Sequence, residues 1–155
     1  DEGEDGLTTI ELESVIQERV TRLRKESANA TIRTTLAEST AVVAHELLPY
    51  ALDNILDNAL EHNDAETPLV EIAVSTGETA AGGQTTVSVA DNGPGLPDHE
   101  QAVLTSEEET QLNHSSGLGL WLTRWIVRNS SGTLSVNKST WGGTRIEIRL
   151  PTQTS

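Results

Sequence analysis

The sequence contains no cysteine, and this absence excludes several kinds of chemistry. A chain without thiols forms no disulfide, has no thiolate nucleophile and offers no sulfur ligand to a structural zinc ion. The four histidines are scattered along the chain and form no cluster with metal-ligand spacing. Any cofactor must therefore be held by other groups.

Long apolar runs are also missing. No stretch approaches the roughly 18 apolar residues of a transmembrane helix, and the first residues lack the basic and apolar pattern of a secretion signal. At 155 residues the chain is long enough for one domain with a core and short for two. We therefore expect a single cytoplasmic domain with no membrane contact of its own, whose parent protein can still be anchored in a membrane.

Basic residues are scarce, with 10 against 24 acidic residues and a net charge of −14. Only Lys25 and Lys138 are lysines. This balance argues against nucleic acid and anionic membranes as partners. It is typical of proteins from salt-loving organisms, in which screening makes such a charge tolerable, although an ordinary acidic protein is the alternative. Disorder does not fit, because apolar periodicity persists through most of the chain.

Apolar residues at helical spacing predict helices over residues 7–27, with Thr9 as N-cap, and over residues 45–63. The segment "GLGLWLTRWIVRN" predicts another helix. Its apolar stripe is predicted to consist of Leu118, Leu122, Trp125 and Ile126. Residues 1–6 and 152–155 are expected to fray, so the single domain is predicted over residues 7–151.

Alternating apolar and polar residues predict strands between these helices. "TIRTTL" and "AVVA" are short β-type runs, whereas "LVEIAV" with "TTVSVA" and "GTLSV" with "TRIEIRL" are typical of hairpins. Paired strands separated by amphipathic helices predict an α/β two-layer sandwich. Its single mixed, mostly antiparallel sheet would be covered on one face by helices.

The segment "DNGPG", from Asp91 to Gly95, directly follows a predicted buried strand. The Asp91 carboxylate can therefore point into a cleft and accept a hydrogen bond from a donor such as the exocyclic amine of adenine. The glycines would let a ligand approach the backbone closely. The same residues also make a good turn by themselves, so both interpretations stay open.

The segment "SSGLGLWL", from Ser115 to Leu122, places Gly117 and Gly119 at the start of a predicted helix. Free N–H groups at a helix N-terminus form a site suited to phosphate, although a glycine-containing cap is the alternative. The sequence has neither a P-loop pattern nor a strand-linked Rossmann pattern.

Asn54 and Asn58 lie one turn apart in the second predicted helix and therefore share a face. A side-chain amide oxygen can ligate Mg²⁺, which takes few protein ligands and completes its octahedron with water and phosphate oxygens. Taken alone, the pair could equally be two solvated polar residues on a surface helix.

Together and in this order, "NILDNALEH", "VADNGPGLP" and "GLGLWLTRWIV" resemble the N box and the two glycine boxes of sensor histidine kinases. The resemblance is to their ATP-binding catalytic domain, a member of the wider Bergerat-fold (GHKL) group that includes gyrase-type ATPases, and it covers residues 41–150. "HELLPYALDNILDNALEHND" further resembles the N-box region of haloarchaeal members, in agreement with the acidic composition. The resemblance implies ATP and Mg²⁺ as cofactors.

Position by position, the resemblance implies that Asn58 ligates the Mg²⁺ that bridges the ATP phosphates and that Asn54 lines the same phosphate region, so that both asparagines are the implied catalytic residues. Asp91 would accept a hydrogen bond from the adenine amine, in a pocket shaped by Gly93 and Gly95. The other residues implied to line the nucleotide site are His62, Leu96, Ser116, Gly117, Leu118, Gly119, Leu120 and Thr144. His62 is explained equally well as a histidine at a helix C-terminus.

The sequence departs from the family's pattern in three ways. Glu61 stands where many members have a lysine near the phosphates, so we expect it to point to solvent or to act through metal or water. Ser115 replaces the first glycine of the second glycine box, and the chain has no phenylalanine for the lid motif. The lid, about residues 98–116, is therefore expected to be short and acidic.

Asn54 bears on the type of reaction. Hydrolases of this fold carry a glutamate four residues before the metal-binding asparagine as the base for water, and an amide cannot accept that proton at neutral pH. Asp53 lies about 100° round the helix and is a poor substitute. Transfer to a histidine is therefore favoured, since the imidazole is itself the nucleophile and needs no protein base.

The acceptor histidine is expected outside this chain. "HELLP" at His45 is superficially similar to the family's phosphoacceptor box, but it lacks the basic residue and the Thr or Asn, and Pro49 comes one place too early. The predicted partners are a histidine-bearing dimerisation domain, to which residues 7–27 are a possible linker, and a downstream response regulator. A degenerate nucleotide-binding or interaction module and a serine kinase of the anti-sigma type remain as alternatives, the latter disfavoured by Asn54.

Overall fold

The computed structural model describes residues 6–36, 40–61, 63–79, 82–94 and 115–152. In chain order the elements are β1 (Leu7–Glu11), α1 (Leu12–Glu26), β2 (Thr31–Leu36), β3 (Ala41–His45), α2 (Leu48–Glu61), β4 (Leu69–Thr79), β5 (Gly82–Asp91), α3 (Ser115–Arg128), β6 (Thr133–Lys138) and β7 (Thr144–Pro151).

The main sheet has the strand order β2-β4-β5-β7-β6. β2 runs parallel to β4, and the other neighbouring pairs are antiparallel. The helices cover one face of this sheet, with α1 against β2, α2 against β5 and α3 against β6. The predicted mixed, mostly antiparallel α/β two-layer sandwich is therefore confirmed, as are both hairpins.

A second, two-stranded sheet lies beside the main one. β1 pairs antiparallel with β3, from Leu7 opposite His45 to Glu11 opposite Ala41. The prediction that residues 7–27 form one helix capped by Thr9 is therefore wrong, because residues 7–11 are a strand and the helix begins at Leu12. The β-branched residues of "LTTIE" favour a strand, and β3 supplies its partner. The second helix likewise begins at Leu48, because His45 belongs to β3.

The core lies between the helices and the main sheet. The buried apolar residues of the helices are Leu12, Ile16, Val20 and Leu23 in α1 and Leu48, Ala51, Leu52, Ile55, Leu56 and Ala59 in α2. They face the inward-pointing residues of the central strands, which are Val70, Ile72, Val74, Val87, Val89, Ile146, Ile148 and Leu150. Spacings of three and four residues in the helices and of two in the strands produce these faces.

α3 presents a different face to the core from the one predicted. Thr123, Ile126 and Val127 are buried, whereas Trp125 is 37% exposed. The helix packs against α2 as well as against the sheet, so its buried stripe is turned toward Thr123 and away from Trp125. The predicted stripe is therefore wrong at Trp125.

The C-terminus of α3 shows where a glycine is required. Ser131 adopts the left-handed conformation, with φ of 59°, and the Gly132 N–H bonds the Val127 carbonyl at 3.0 Å. A Cβ atom on Gly132 would lie 2.6 Å from the Arg149 carbonyl oxygen and 2.8 Å from Leu150 Cδ2. Gly132 therefore allows the end of α3 to contact the backbone of β7.

We predict that Gly132→Ala lowers the free energy of unfolding by about 1–3 kcal/mol, because the added methyl group overpacks against a backbone oxygen. Gly77→Ala is the matched control, since a Cβ atom there meets nothing within 4 Å. Its effect should stay within about 0.5 kcal/mol. Urea unfolding followed by tryptophan fluorescence measures both, and equal stability of the two variants would contradict the proposed contact.

Candidate functional site

Asp91, the last residue of β5, is buried at the centre of the candidate site. Its Oδ1 atom accepts hydrogen bonds from the backbone N–H groups of Gly93 at 2.8 Å and Thr144 at 3.2 Å. Burial raises the pKa of the Asp91 carboxyl, and these two hydrogen bonds partly oppose that rise. Both bonds fall on the same oxygen, so the orientation of the carboxylate is fixed from one side.

The turn between β6 and β7 packs directly on Asp91. The buried Ser139 hydroxyl donates to the Asp91 backbone carbonyl at 2.6 Å and accepts from the N–H groups of Trp141 at 3.1 Å and Gly143 at 3.0 Å. A Cβ atom on Gly143 would lie 2.5 Å from Asp91 Oδ1 and would also clash with the Asp91 carbonyl oxygen. Only glycine at position 143 therefore allows this turn to approach the end of β5.

Asn92 fixes the other side of the same loop. Its Oδ1 atom accepts from Asn63 Nδ2 at 2.9 Å and from the Leu69 N–H at 2.8 Å. Its Nδ2 group donates to the Thr67 carbonyl at 3.1 Å. This single side chain therefore connects the segment after α2, the start of β4 and the loop that follows Asp91.

Half-buried amide side chains lie along α2 between α3 and this loop. Asn54 Nδ2 is 3.5 Å from the Thr123 hydroxyl of α3. Asn58 lies one turn further along the helix, and Asn63 follows the helix end and reaches Asn92. In the order of the chain, Asn58 therefore lies between the turn of α2 that contacts α3 and the residue that reaches Asn92.

Two acidic residues of α2, Asp53 and Asp57, face α1. Asp53 Oδ1 is 2.9 Å from Arg19 Nε and 3.6 Å from an Arg22 nitrogen, and Asp57 also pairs with Arg22 at 3.5 Å. These ion pairs connect α2 to α1. Asp53 is thus held against α1, in agreement with the prediction that it is a poor base. Glu61 is exposed.

The structure brings together part of the predicted site. Asp91, Gly93 and Thr144 share hydrogen bonds, and Asn54 reaches α3. Gly117 and Gly119 lie in the first turns of α3, together with Ser116, Leu118 and Leu120. His62, Gly95, Leu96 and the part of the predicted lid before Ser115 lie outside the described residues. These assignments to nucleotide or metal remain predictions.

Four residues around Asp91 were not anticipated from the sequence: Asn63, Asn92, Ser139 and Gly143. Ser139 and Gly143 contact Asp91 itself, whereas Asn63 bonds Asn92 in the loop that follows it. All of these contacts join distant parts of the chain. The glycine pair before β7 in "STWGGT" was the one local signal that a backbone approaches closely there.

His45, the histidine of "HELLP", is packed within the fold. The residue is buried, and its Nδ1 atom accepts a hydrogen bond from the Leu47 N–H at 3.1 Å. Its backbone N–H donates to the Ser130 hydroxyl at 2.8 Å, and its ring lies edge-on to Trp125 at 5.1 Å. These contacts place the imidazole poorly for accepting a phosphoryl group.

Comparison with known proteins identifies the class. Residues 43–154 match the family model described as "Histidine kinase-, DNA gyrase B-, and HSP90-like ATPase". The chain therefore belongs to this family, and it is homologous to the ATP-binding catalytic domains of sensor histidine kinases. No helix in the described ranges is long and apolar enough to span a bilayer.

The curated relatives are longer proteins. Sensor protein kinase CarS of Pseudomonas aeruginosa is 42% identical over 108 residues, which cover 67% of this chain and 22% of the relative. Sensor-type histidine kinase PrrB of Mycobacterium tuberculosis is 34% identical over 107 residues, covering 67% of this chain and 23% of the relative. The chain thus spans less than a quarter of these relatives. Both are bacterial, so the predicted haloarchaeal origin finds no support in them.

Solved structures show the same fold. The mycobacterial sensor histidine kinase MprB matches with a TM-score of 0.77 and 24% identity, covering 96% of this chain and 99% of the other. The ATP-binding domain of PrrB from Mycobacterium tuberculosis matches with a TM-score of 0.75 and 22% identity, over the same shares of the two chains. At these identities the match establishes the Bergerat fold.

We predict that Asp91→Asn leaves the ligand-free domain at least as stable as the wild type at pH 7. The raised pKa means that ionising this carboxyl is less favourable in the folded than in the unfolded chain. This cost is present above the raised pKa and disappears as the pH falls below the usual value of 3.8. Any stability advantage of Asp91→Asn over the wild type should therefore shrink as the pH falls from the raised pKa to below 3.8. Urea titrations at a series of pH values measure this difference.

Asp64→Asn, at an exposed position, controls for the loss of one negative charge from an acidic protein. Asp91→Asn could instead be clearly less stable than Asp64→Asn at pH 7, with the difference between the two variants disappearing at low pH. That result would contradict the conclusion that burial disfavours the Asp91 carboxylate.

Proposed function

We propose that this chain binds Mg·ATP as the catalytic domain of a sensor histidine kinase. We further propose that it donates the γ-phosphoryl group to a histidine on a dimerisation domain outside the chain. One observation carries the proposal: a buried carboxylate at the end of β5 is oriented through a single oxygen by backbone N–H groups. The family membership and the fold agree with it.

The adenine end of the site is assigned to Asp91 and its neighbours. Because the hydrogen bonds from Gly93 and Thr144 both fall on Oδ1, we assign Oδ2 to the exocyclic amine of adenine. Such a bond would give a buried carboxylate a donor and so offset part of its desolvation. Gly95, Leu96 and His62 are proposed to complete this end of the pocket.

The phosphate end is assigned to α2 and α3. Asn58 supplies a half-buried amide oxygen on the part of α2 between α3 and the end of β5, which suits a Mg²⁺ ion that arrives with the nucleotide phosphates. When bound, this ion would neutralise charge on the transferring phosphoryl group. Asn54 and the first turns of α3, from Ser116 to Leu120, are proposed to line the phosphates, where backbone N–H groups favour anions.

The residues of α2 favour transfer over hydrolysis. Asn54 is an amide, and the neighbouring carboxylate of Asp53 lies 2.9 Å from Arg19 of α1. Neither is suited to take a proton from water at the phosphates. A histidine acceptor needs no such base. We therefore propose a partner domain that carries this histidine, with a response regulator as the next acceptor, in a parent protein whose catalytic part is cytoplasmic.

We predict that the isolated domain binds Mg·ATP with a dissociation constant between micromolar and sub-millimolar, about −8 to −5 kcal/mol. Asp91→Asn should weaken binding at least about tenfold, because the variant presents an N–H₂ group where the adenine amine needs an acceptor. Asn58→Ala should make the remaining affinity insensitive to Mg²⁺. Calorimetry in molar KCl measures all three proteins.

The control for these titrations is again Asp64→Asn, whose affinity should match the wild type. Absence of binding by a wild-type domain with a cooperative unfolding transition would contradict the proposal. It would favour the alternative of an interaction module that keeps the glycine motifs as turns. Transfer to a serine-bearing partner in place of a histidine-bearing one would favour an anti-sigma-type kinase.

We also propose that the domain is adapted to high salt. The proposal rests on the net charge of −14 and the low lysine content, which favour screening by salt. The melting temperature should therefore rise by several degrees between 0.1 M and 2 M KCl, because repulsion among carboxylates opposes the compact state. A melting temperature that is flat or falls over this range would contradict it.

A further inference from the structure

Asn63, just after the C-terminus of α2, connects this helix to the segment that follows it. Its N–H group bonds the Leu60 carbonyl at 3.2 Å, and its Nδ2 group lies 3.5 Å from the Ala59 carbonyl. On the other side, its Oδ1 atom accepts a hydrogen bond from the Ala65 N–H at 2.9 Å. Asn63 therefore ends the helix and begins the next turn, which is a common role of asparagine.

The same side chain also contacts the loop that follows Asp91. Asn63 Nδ2 donates to Asn92 Oδ1 at 2.9 Å, although 29 positions separate the two residues in the sequence. Gly93 packs closely on Asn63 as well, since a Cβ atom at position 93 would lie 3.4 Å from both the Cα and the Cγ atoms of Asn63. One hydrogen bond and one close contact thus join the end of α2 to this loop.

The acceptor of this bond, Asn92, is itself held in place. Its Oδ1 atom also accepts from the Leu69 N–H at 2.8 Å, and its Nδ2 group donates to the Thr67 carbonyl at 3.1 Å. Its backbone N–H bonds the Leu69 carbonyl at 3.2 Å. Backbone groups at the start of β4 and just before it therefore orient the Asn92 amide, and the bond from Asn63 adds the connection to α2.

The helix and the loop joined in this way carry the two ends of the proposed nucleotide site. Asn58, the proposed metal ligand, lies on α2 a little more than one turn before Asn63. Asp91, proposed to bind adenine, accepts a hydrogen bond from the Gly93 N–H at 2.8 Å. A ligand that occupies both ends needs them at one distance, because free energy spent on moving them into place is lost from binding.

We infer that Asn63 is a positioning residue, which sets the distance between the adenine end and the metal end of the site. The inference rests on the proposed function, because that proposal assigns the two ends. Asn63 acts through Asn92 and the loop and needs no contact with the nucleotide. Mg·ATP would engage both ends and so depend on the connection, whereas ATP without Mg²⁺ would not use the metal end and should depend on it much less.

Asn63→Ser tests the inference, since a serine hydroxyl can still accept from the Ala65 N–H but is too short to bond Asn92. Asn129→Ser is the matched control. Asn129 also follows a helix end, and its Nδ2 group bonds the carbonyl four residues earlier, that of Trp125, at 2.8 Å at an exposed position. Calorimetric titrations with ATP, in Mg²⁺ and in EDTA, give the Mg²⁺-dependent gain in affinity for each protein.

Asn63→Ser should weaken binding of Mg·ATP about fivefold, the effect of one hydrogen bond, and should change binding of ATP in EDTA less than about twofold. Asn129→Ser should change neither affinity. A double variant with Asn63→Ser and Asn92→Ala should lose no more of the Mg²⁺-dependent gain than Asn92→Ala alone, because the two side chains act through one bond. Thermal unfolding identifies the folded variants, and Asn63→Thr replaces Asn63→Ser if the serine variant does not unfold cooperatively.

The outcomes separate positioning from simple support of the loop. Equal losses with and without Mg²⁺ would mean that Asn63 only stabilises the loop, and this result would overturn the inference. Unchanged binding by Asn63→Ser, or additive losses in the double variant, would overturn it as well. Failure of the proposed function is recognised separately, because the wild-type domain would then bind no ATP in either condition and the inference would fall with it.

Discussion

The buried carboxylate of Asp91 is the interaction on which the arrangement of the candidate site depends. A charged group at the end of a central strand is unfavourable unless its surroundings supply donors, and here the loop that follows β5 and the first residue of β7 supply one each. Ser139 and Gly143 hold the β6–β7 turn against the same residue. Burial still raises the pKa of the Asp91 carboxyl, so the free domain keeps a residual cost that a ligand donor would reduce.

The charge distribution on α2 is consistent with a site for a triphosphate. Although the chain carries a net charge of −14, the half-buried polar residues Asn54 and Asn58 of α2 are neutral amides, and Asn54 lies 3.5 Å from Thr123 of α3. The carboxylates of Asp53 and Asp57 on the same helix pair with arginines of α1. The two carboxylates nearest to Asn54 and Asn58 in sequence are thus held against α1.

The parts of this molecule that were predictable from sequence are those set by local periodicity. Alternation in "TRIEIRL" and "TTVSVA" defined β7 and β5, and the helical spacing of Leu52, Ile55, Leu56 and Ala59 defined the buried face of α2. Asp91 was recognised because it follows a buried strand and precedes glycines. In the same way the resemblance to a family depended on short motifs in a fixed order.

The rest depended on contacts between distant segments. The boundary between β1 and α1 is an example, because the helical spacing of α1 can be extended back to Leu7 and the pairing partner β3 lies thirty or more residues away. Asn92 and Ser139 are polar loop residues whose roles depend on partners from elsewhere in the fold. Asn92 accepts hydrogen bonds from Asn63 and Leu69, and Ser139 donates to the Asp91 carbonyl. The exposure of Trp125 follows from the side on which α3 meets α2, which the apolar pattern of α3 alone did not determine.

A crystal structure of the domain with Mg²⁺ and a non-hydrolysable ATP analogue would show whether Asp91 and Asn58 hold the nucleotide and its metal. We expect the exocyclic amine of adenine within hydrogen-bond distance of Asp91 Oδ2, while Oδ1 keeps its bonds to Gly93 and Thr144. We also expect the amide oxygen of Asn58 to ligate the metal. A nucleotide bound elsewhere, or bound here with Asp91 pointing away from the base and no metal on Asn58, would contradict these expectations.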